Sequence, residues 1–129
     1  MKKLVLLTVI VITLASCKKE KVVVSEGVFG TWELRTIFGG WGQTQTFAPG
    51  KGDRYYFGVG NTYAKIKDGK EETKGTFNIK YSGEDRGYKY GLITFTNPAY
   101  SDAFSVKGDT INIGTNAADG PSYQFIRVK

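Results

Sequence analysis

Few side chains in this 129-residue chain could take part in chemistry: one thiol, Cys17, and the adjacent acid pairs Glu71-Glu72 and Glu84-Asp85. Histidine is absent and Cys17 has no second cysteine to pair with. That composition excludes disulfides, zinc sites of the Cys/His kind, Cys–His nucleophilic pairs and a Ser-His-Asp triad. Glycoside hydrolysis by two carboxyls needs them about 5–9.5 Å apart across a substrate, one with a raised pKa. Neighbouring acids in polar, turn-like segments are solvated side by side and do not meet that need. Asp68-Gly69, Gly108-Asp109 and Asp119-Gly120 read as turn chemistry, not as calcium loops. No enzymatic activity, metal or cofactor is therefore expected, and the chemistry at Cys17 is attachment.

What precedes Cys17 says how it is attached. Met1-Lys2-Lys3 is basic, Leu4 to Leu14 is an apolar run of 11 residues, and Ala15-Ser16 are small. This is the layout of a secretory signal. A lasting membrane span needs about 20 apolar residues, so the run is too short to remain as one. Leu14-Ala15-Ser16-Cys17 resembles the lipobox of bacterial lipoproteins. The resemblance implies a diacylglyceryl group on the Cys17 thiol, cleavage before Cys17 and an acylated new N-terminus. Residues 1–16 are then the signal peptide and residues 17–29 the lipidated cysteine and its tether. Two or three acyl chains anchor stably where one is marginal. Lys18, Lys19 and Lys21 can add attraction to an anionic surface, partly offset by Glu20 and Glu26. Lys18 is unlike the acidic residue that favours inner-membrane retention in some lipoproteins. The expected location is the cell envelope, at the outer membrane facing the periplasm.

Residues 30–129 are one domain's worth of sequence. The chain carries 18 basic and 12 acidic residues; without Lys2 and Lys3 the net charge falls from +6 to +4. A small excess spread along the chain is a solubility feature, and no nucleic-acid partner is expected. Seventeen glycines and sixteen Tyr or Phe residues suit tight turns and bulky β-strand cores.

Hydrophobic alternation places strands at Thr31–Phe38, Arg54–Gly58, Thr62–Lys67, Thr73–Tyr81, Tyr88–Thr96, Ala103–Lys107, Thr110–Ile113 and Ser122–Val128, with a weak one from Gln43 to Phe47. On the first strand, Trp32, Leu34 and Thr36 share one face and Glu33 and Arg35 the other. Asp68-Gly69 marks a hairpin, and Ser82 to Gly87 reads as a polar turn. Eight or nine short strands, mostly antiparallel and about 8–12 residues apart, predict an all-β fold, a barrel or a sandwich. A small up-and-down antiparallel barrel of about eight strands is favoured, because closure leaves no open edge.

Gly30-Thr31-Trp32 at the first strand and Tyr123-Gln124-Phe125-Ile126-Arg127 at the last resemble the lipocalin-like proteins of the calycin group. The resemblance implies that Gly30, Trp32 and Arg127 are structural, the guanidinium lying across the indole where first and last strands meet. Stacking of that kind contributes about 0.5–2 kcal/mol. It also implies a lumen for a small hydrophobic ligand. Candidate lining residues are Tyr55, Phe57, Phe77, Phe95, Tyr123 and Phe125, with Trp41 on a glycine-flanked loop as a flap, a protein contact or a surface side chain. An eight-stranded lumen is either filled by side chains or holds one small ligand. The functional expectation is a monomeric, lipid-anchored, lipocalin-like binding protein. The alternative is an interaction or structural module with a filled barrel.

Overall fold

The computed structural model describes residues 26–40, 42–114 and 120–129. Cys17 and Trp41 lie outside the described residues. Apart from a 3-10 turn at Glu26–Val28, the regular structure is strand: β1 (Gly30–Phe38), β2 (Gln45–Thr46), β3 (Arg54–Gly58), β4 (Thr62–Lys67), β5 (Lys70–Asp85), β6 (Tyr88–Phe95), β7 (Tyr100–Lys107), β8 (Thr110–Ile113) and β9 (Ser122–Arg127). Sequential neighbours from β3 to β9 pair antiparallel, β1 pairs β3, and β1–β9 pairing closes the sheet. The result is an eight-stranded up-and-down barrel, lipocalin-like in form, with β2 as an extra short strand.

Alternating inward residues make the core. Leu34, Tyr55, Phe57, Phe77, Ile79, Phe95, Ile111, Ile113 and Phe125 are all buried, and Tyr123 is half-buried. Their burial is the main favourable term, since each large apolar side chain contributes about 1.5–3 kcal/mol when removed from water. Val28 is also fully buried, so the end of the expected tether belongs to the barrel.

Three local readings are corrected. The face assignment on β1 fails beyond Leu34, because a bulge between Leu34 and Thr36 shifts the register. Ile37 then pairs with inward Tyr123, and Thr36 pairs with Gln124 on the outer face. The segment read as a polar turn from Ser82 is strand as far as Asp85, paired with Tyr88–Tyr90, and only Arg86-Gly87 turns. Its side chains are solvated on both faces, so backbone pairing holds it and no alternation reveals it. Likewise β7 starts at Tyr100, three residues before its alternation becomes clear.

β2 and β3 act as two halves of one strand along the same edge of β1. Phe47 N–H donates to the Arg35 carbonyl and Leu34 N–H to the Asp53 carbonyl, each at 2.8 Å. Between these bonds the chain makes an excursion over the outer face of β1. Gly52 permits it: a Cβ there would lie 1.9 Å from the Leu34 carbonyl oxygen.

Candidate functional site

The alternation of hairpins gives the barrel two ends. The N-terminal turn, the C-terminal end of β9 and the β3–β4, β5–β6 and β7–β8 connections share one end. The β1–β3, β4–β5, β6–β7 and β8–β9 connections share the other.

The first end is sealed. Trp32 has no exposed surface, and its indole N–H donates to the Val28 carbonyl at 2.8 Å. The Arg127 guanidinium carbon sits 4.2 Å from the indole centroid. Arg127 Nη1 donates to the Phe29 carbonyl at 2.6 Å, Nη2 donates to the Gly27 carbonyl, and Nε donates to Asp109 Oδ1 at 3.0 Å. Gly30 has φ 128°, a left-handed value, and a Cβ there would meet Arg127 Nη1 at 2.9 Å. Gly30, Trp32 and Arg127 are thus brought together at the seam of β1 and β9. The planar fork of arginine both stacks on the ring and caps the carbonyls of the turn.

The middle of the lumen is packed with aromatics. Phe57 lies 4.7 Å from Phe77, and Tyr63 meets Phe95 edge-on at 4.9 Å, ring centre to ring centre. The Tyr63 hydroxyl donates to the Thr96 carbonyl at 2.7 Å. Burial pushes the Tyr63 phenol above its ordinary value. Phe57 packs against both Phe77 and Phe95 in this block, the second at 6.5 Å between ring centres.

The second end is open. A cavity of about 260 Å³ is lined by Leu34, Tyr55, Tyr100, Ile113, Tyr123 and Phe125, with Asp53, Arg54, Lys65 and Asp102 around them. Of the residues expected to form a pocket, Tyr55, Tyr123 and Phe125 line this cavity. Tyr55 anchors it: the ring stacks on Phe57 at 5.5 Å and Phe95 at 5.7 Å and meets Phe125 edge-on at 5.3 Å. Its hydroxyl is 3.3 Å from that of Tyr100. Burial, with the hydrogen bond to Tyr100 adding to it, raises the Tyr55 phenol far above its ordinary value, so it stays protonated. Lys65 Nζ lies 5.9 Å from the Tyr55 ring centre. Sequence alternation missed Tyr100 and Asp102, because β7 begins earlier than its apolar pattern.

Sequence reasoning also missed Glu33. It faces outward yet is 1% exposed, because the Phe47–Asp53 excursion covers it. Glu33 Oε1 accepts from Gly50 N–H at 2.7 Å and lies 3.2 Å from Arg35 Nη2. Oε2 accepts from Arg54 Nε at 3.0 Å and lies 2.9 Å from Arg54 Nη2. Burial pushes the carboxyl up, but the Gly50 and Arg54 hydrogen bonds and both guanidinium charges outweigh it and hold it below its ordinary value. The readable signal was the Gly50-Lys51-Gly52 run, which lets a loop lie flat on a strand.

Among the described residues no group of three or more His, Cys, Asp or Glu side chains could hold a metal ion, and no helix is long and apolar enough to cross a membrane. Fold and site define a closed antiparallel barrel with one sealed end and one cavity-bearing mouth. Comparison with protein-family models, with curated proteins and with solved structures finds no match.

Proposed function

We propose that this protein is a lipid-anchored, lipocalin-like binding protein of the cell envelope that takes a small hydrophobic ligand through the mouth of its barrel. The observation that carries the ligand is the half-filled lumen. An aromatic block plugs the middle, while about 260 Å³ of space walled by apolar and phenolic groups, with four charged residues around them, stays open at one end. Concave, mostly apolar sites with a few placed polar groups are where small molecules bind. The anchor rests on the Leu14-Ala15-Ser16-Cys17 sequence, and the outer membrane on Lys18. Nothing in the site calls for catalysis, so the reading is binding and not turnover.

The test joins both parts. Protein purified from membranes of cells fed labelled palmitate should carry the label, and Cys17→Ser should abolish it. Native mass spectrometry of the same preparation should show an added small-molecule mass. Absence of label from wild type would remove the anchor; a bare protein mass that no added compound shifts would remove the ligand.

A second reading has one observation in its favour. On the outer face, small residues Ala103, Ser105 and Asn112 form a shallow groove flanked by Phe38 and Tyr90. Leu92, paired with Ala103, is 45% exposed nearby. Exposed apolar surface of this kind suits a protein contact.

A further inference from the structure

We infer that the mouth cavity selects a compact, neutral, ring-sized ligand that carries a hydrogen-bond acceptor, and that it discriminates against long-chain lipids. The inference rests on the ligand-binding reading above and narrows it to a chemical class.

Size comes first. A cavity of about 150 Å³ accommodates benzene. By that measure 260 Å³ holds roughly ten non-hydrogen atoms, one ring with a short substituent. The packed aromatic block of Phe57, Phe77 and Phe95 prevents a chain from running deeper into the barrel. A long acyl chain would leave about half of its carbons outside.

Shape comes second. Tyr55, Tyr100, Tyr123 and Phe125 supply the walls, and Leu34 and Ile113 complete them. Aromatic walls favour a flat guest, which can stack or meet them edge-on.

Polarity comes third. Two phenol hydroxyls 3.3 Å apart can share one hydrogen bond. Whichever donates, one O–H remains, and among the described residues neither hydroxyl bonds to a third group. The pair therefore presents a donor to the cavity whichever way it is oriented. A carbonyl or ether oxygen on the guest would accept it.

Charge comes last. Lys65 and Arg54 are balanced by Asp53 and Asp102 around the cavity. Arg54 is already held by Glu33, and Lys65 lies 4.0 Å from Glu72. The four charged lining residues sum to zero and both cations already face carboxylates outside the lining, so a fatty-acid carboxylate gains nothing that a neutral acceptor lacks.

The experiment titrates the protein, expressed from its full sequence, with acetophenone, ethylbenzene and palmitate, followed by calorimetry and by aromatic NMR shifts. Acetophenone should bind best and palmitate worst. Tyr55→Phe combined with Tyr100→Phe keeps both rings; it should weaken acetophenone by roughly fivefold to tenfold and leave ethylbenzene unchanged. Ile113→Phe, which fills the cavity, should abolish both. Palmitate binding as tightly as acetophenone would overturn the inference and leave the ligand-binding reading standing. Equal acetophenone affinity in the double variant would overturn the acceptor claim. If none of the three binds, the inference falls together with the reading it rests on.

Discussion

The two ends of the barrel use the same side-chain chemistry to opposite effect. At the sealed end the Trp32 indole N–H and all three guanidinium nitrogens of Arg127 reach a partner: the main-chain carbonyls of residues 27–29 or the Asp109 carboxylate. The ring is covered on one face by a cation and has no exposed surface. At the mouth the phenols of Tyr55 and Tyr100 meet each other, and Tyr100 is 41% exposed. A polar tip tied to main chain makes an aromatic residue part of the frame. A polar tip tied only to another side-chain hydroxyl keeps a donor to offer a guest. Stability should therefore be concentrated at one end and binding at the other.

Truncating one large aromatic at each end tests that division most severely. Trp32→Ala removes a fully buried indole and strips Arg127 of its stacking surface. The expected cost is about 4 kcal/mol, enough to leave a marginal domain of this size mostly unfolded. Tyr123→Ala removes a half-buried ring that already borders open space, so the cavity term is small; about 1–2 kcal/mol is expected. Urea denaturation of the two variants measures the difference. Equal costs would mean that the mouth is as much a part of the frame as the sealed end.

Arg127→Ala is the next largest effect. It loses the stack on Trp32, two caps on the N-terminal turn and the Asp109 contact, together about 2 kcal/mol. For a domain near 100 residues that lowers Tm by roughly 10 °C. Arg127→Lys keeps the charge but not the planar fork and should recover less than half of the loss. Thermal melts followed by far-ultraviolet circular dichroism decide it: an unchanged Tm in Arg127→Ala would show that barrel closure does not depend on the pair.

How much of this was legible in the sequence follows the same line. Strands with one face inward, such as Arg54–Gly58 and Thr62–Lys67, announce themselves by alternation, and their bounds match the structure. Their number and spacing left a barrel or a sandwich, and the choice of a barrel rested on edge closure and on the resemblance of the first and last strands to lipocalin-like proteins. Side chains that gain burial from a distant loop do not announce themselves. Glu33 alternates as an exposed residue should, and only the return of the chain at Gly50–Asp53 buries it. Tyr100 is hidden for a different reason: it pairs with Phe95 on β6, but the next residue on its face of β7 is Asp102, which breaks the apolar alternation. The bulge that turns Ile37 inward changes a face assignment without changing any residue type. The open mouth depends on where rings stop stacking, a property of three-dimensional packing that period-2 patterning does not encode.

Glu33 supplies the smallest expected effect and ties the flank of β1 to the stability side of the comparison. Its carboxyl is held below the ordinary 4.5 by the Gly50 and Arg54 hydrogen bonds and the guanidinium charges of Arg35 and Arg54, which together outweigh the upward push of burial. A carboxyl with a depressed pKa binds its proton less readily when folded than when unfolded. It therefore contributes stability above about pH 4.5 and loses that contribution as pH falls through the folded value. Glu33→Gln keeps an acceptor for Gly50 N–H but turns an amide N–H toward Arg54. At neutral pH the variant should be less stable by about 1 kcal/mol. As pH drops below 4.5 the unfolded carboxyl takes up its proton before the folded one does, and the gap between the two proteins should narrow as pH falls through the folded value. Chemical denaturation at pH 7 and at about pH 3 measures both gaps. A gap that is the same at both values would show that the charge of Glu33, as distinct from its shape and its bond to Gly50, does nothing to hold the excursion against β1.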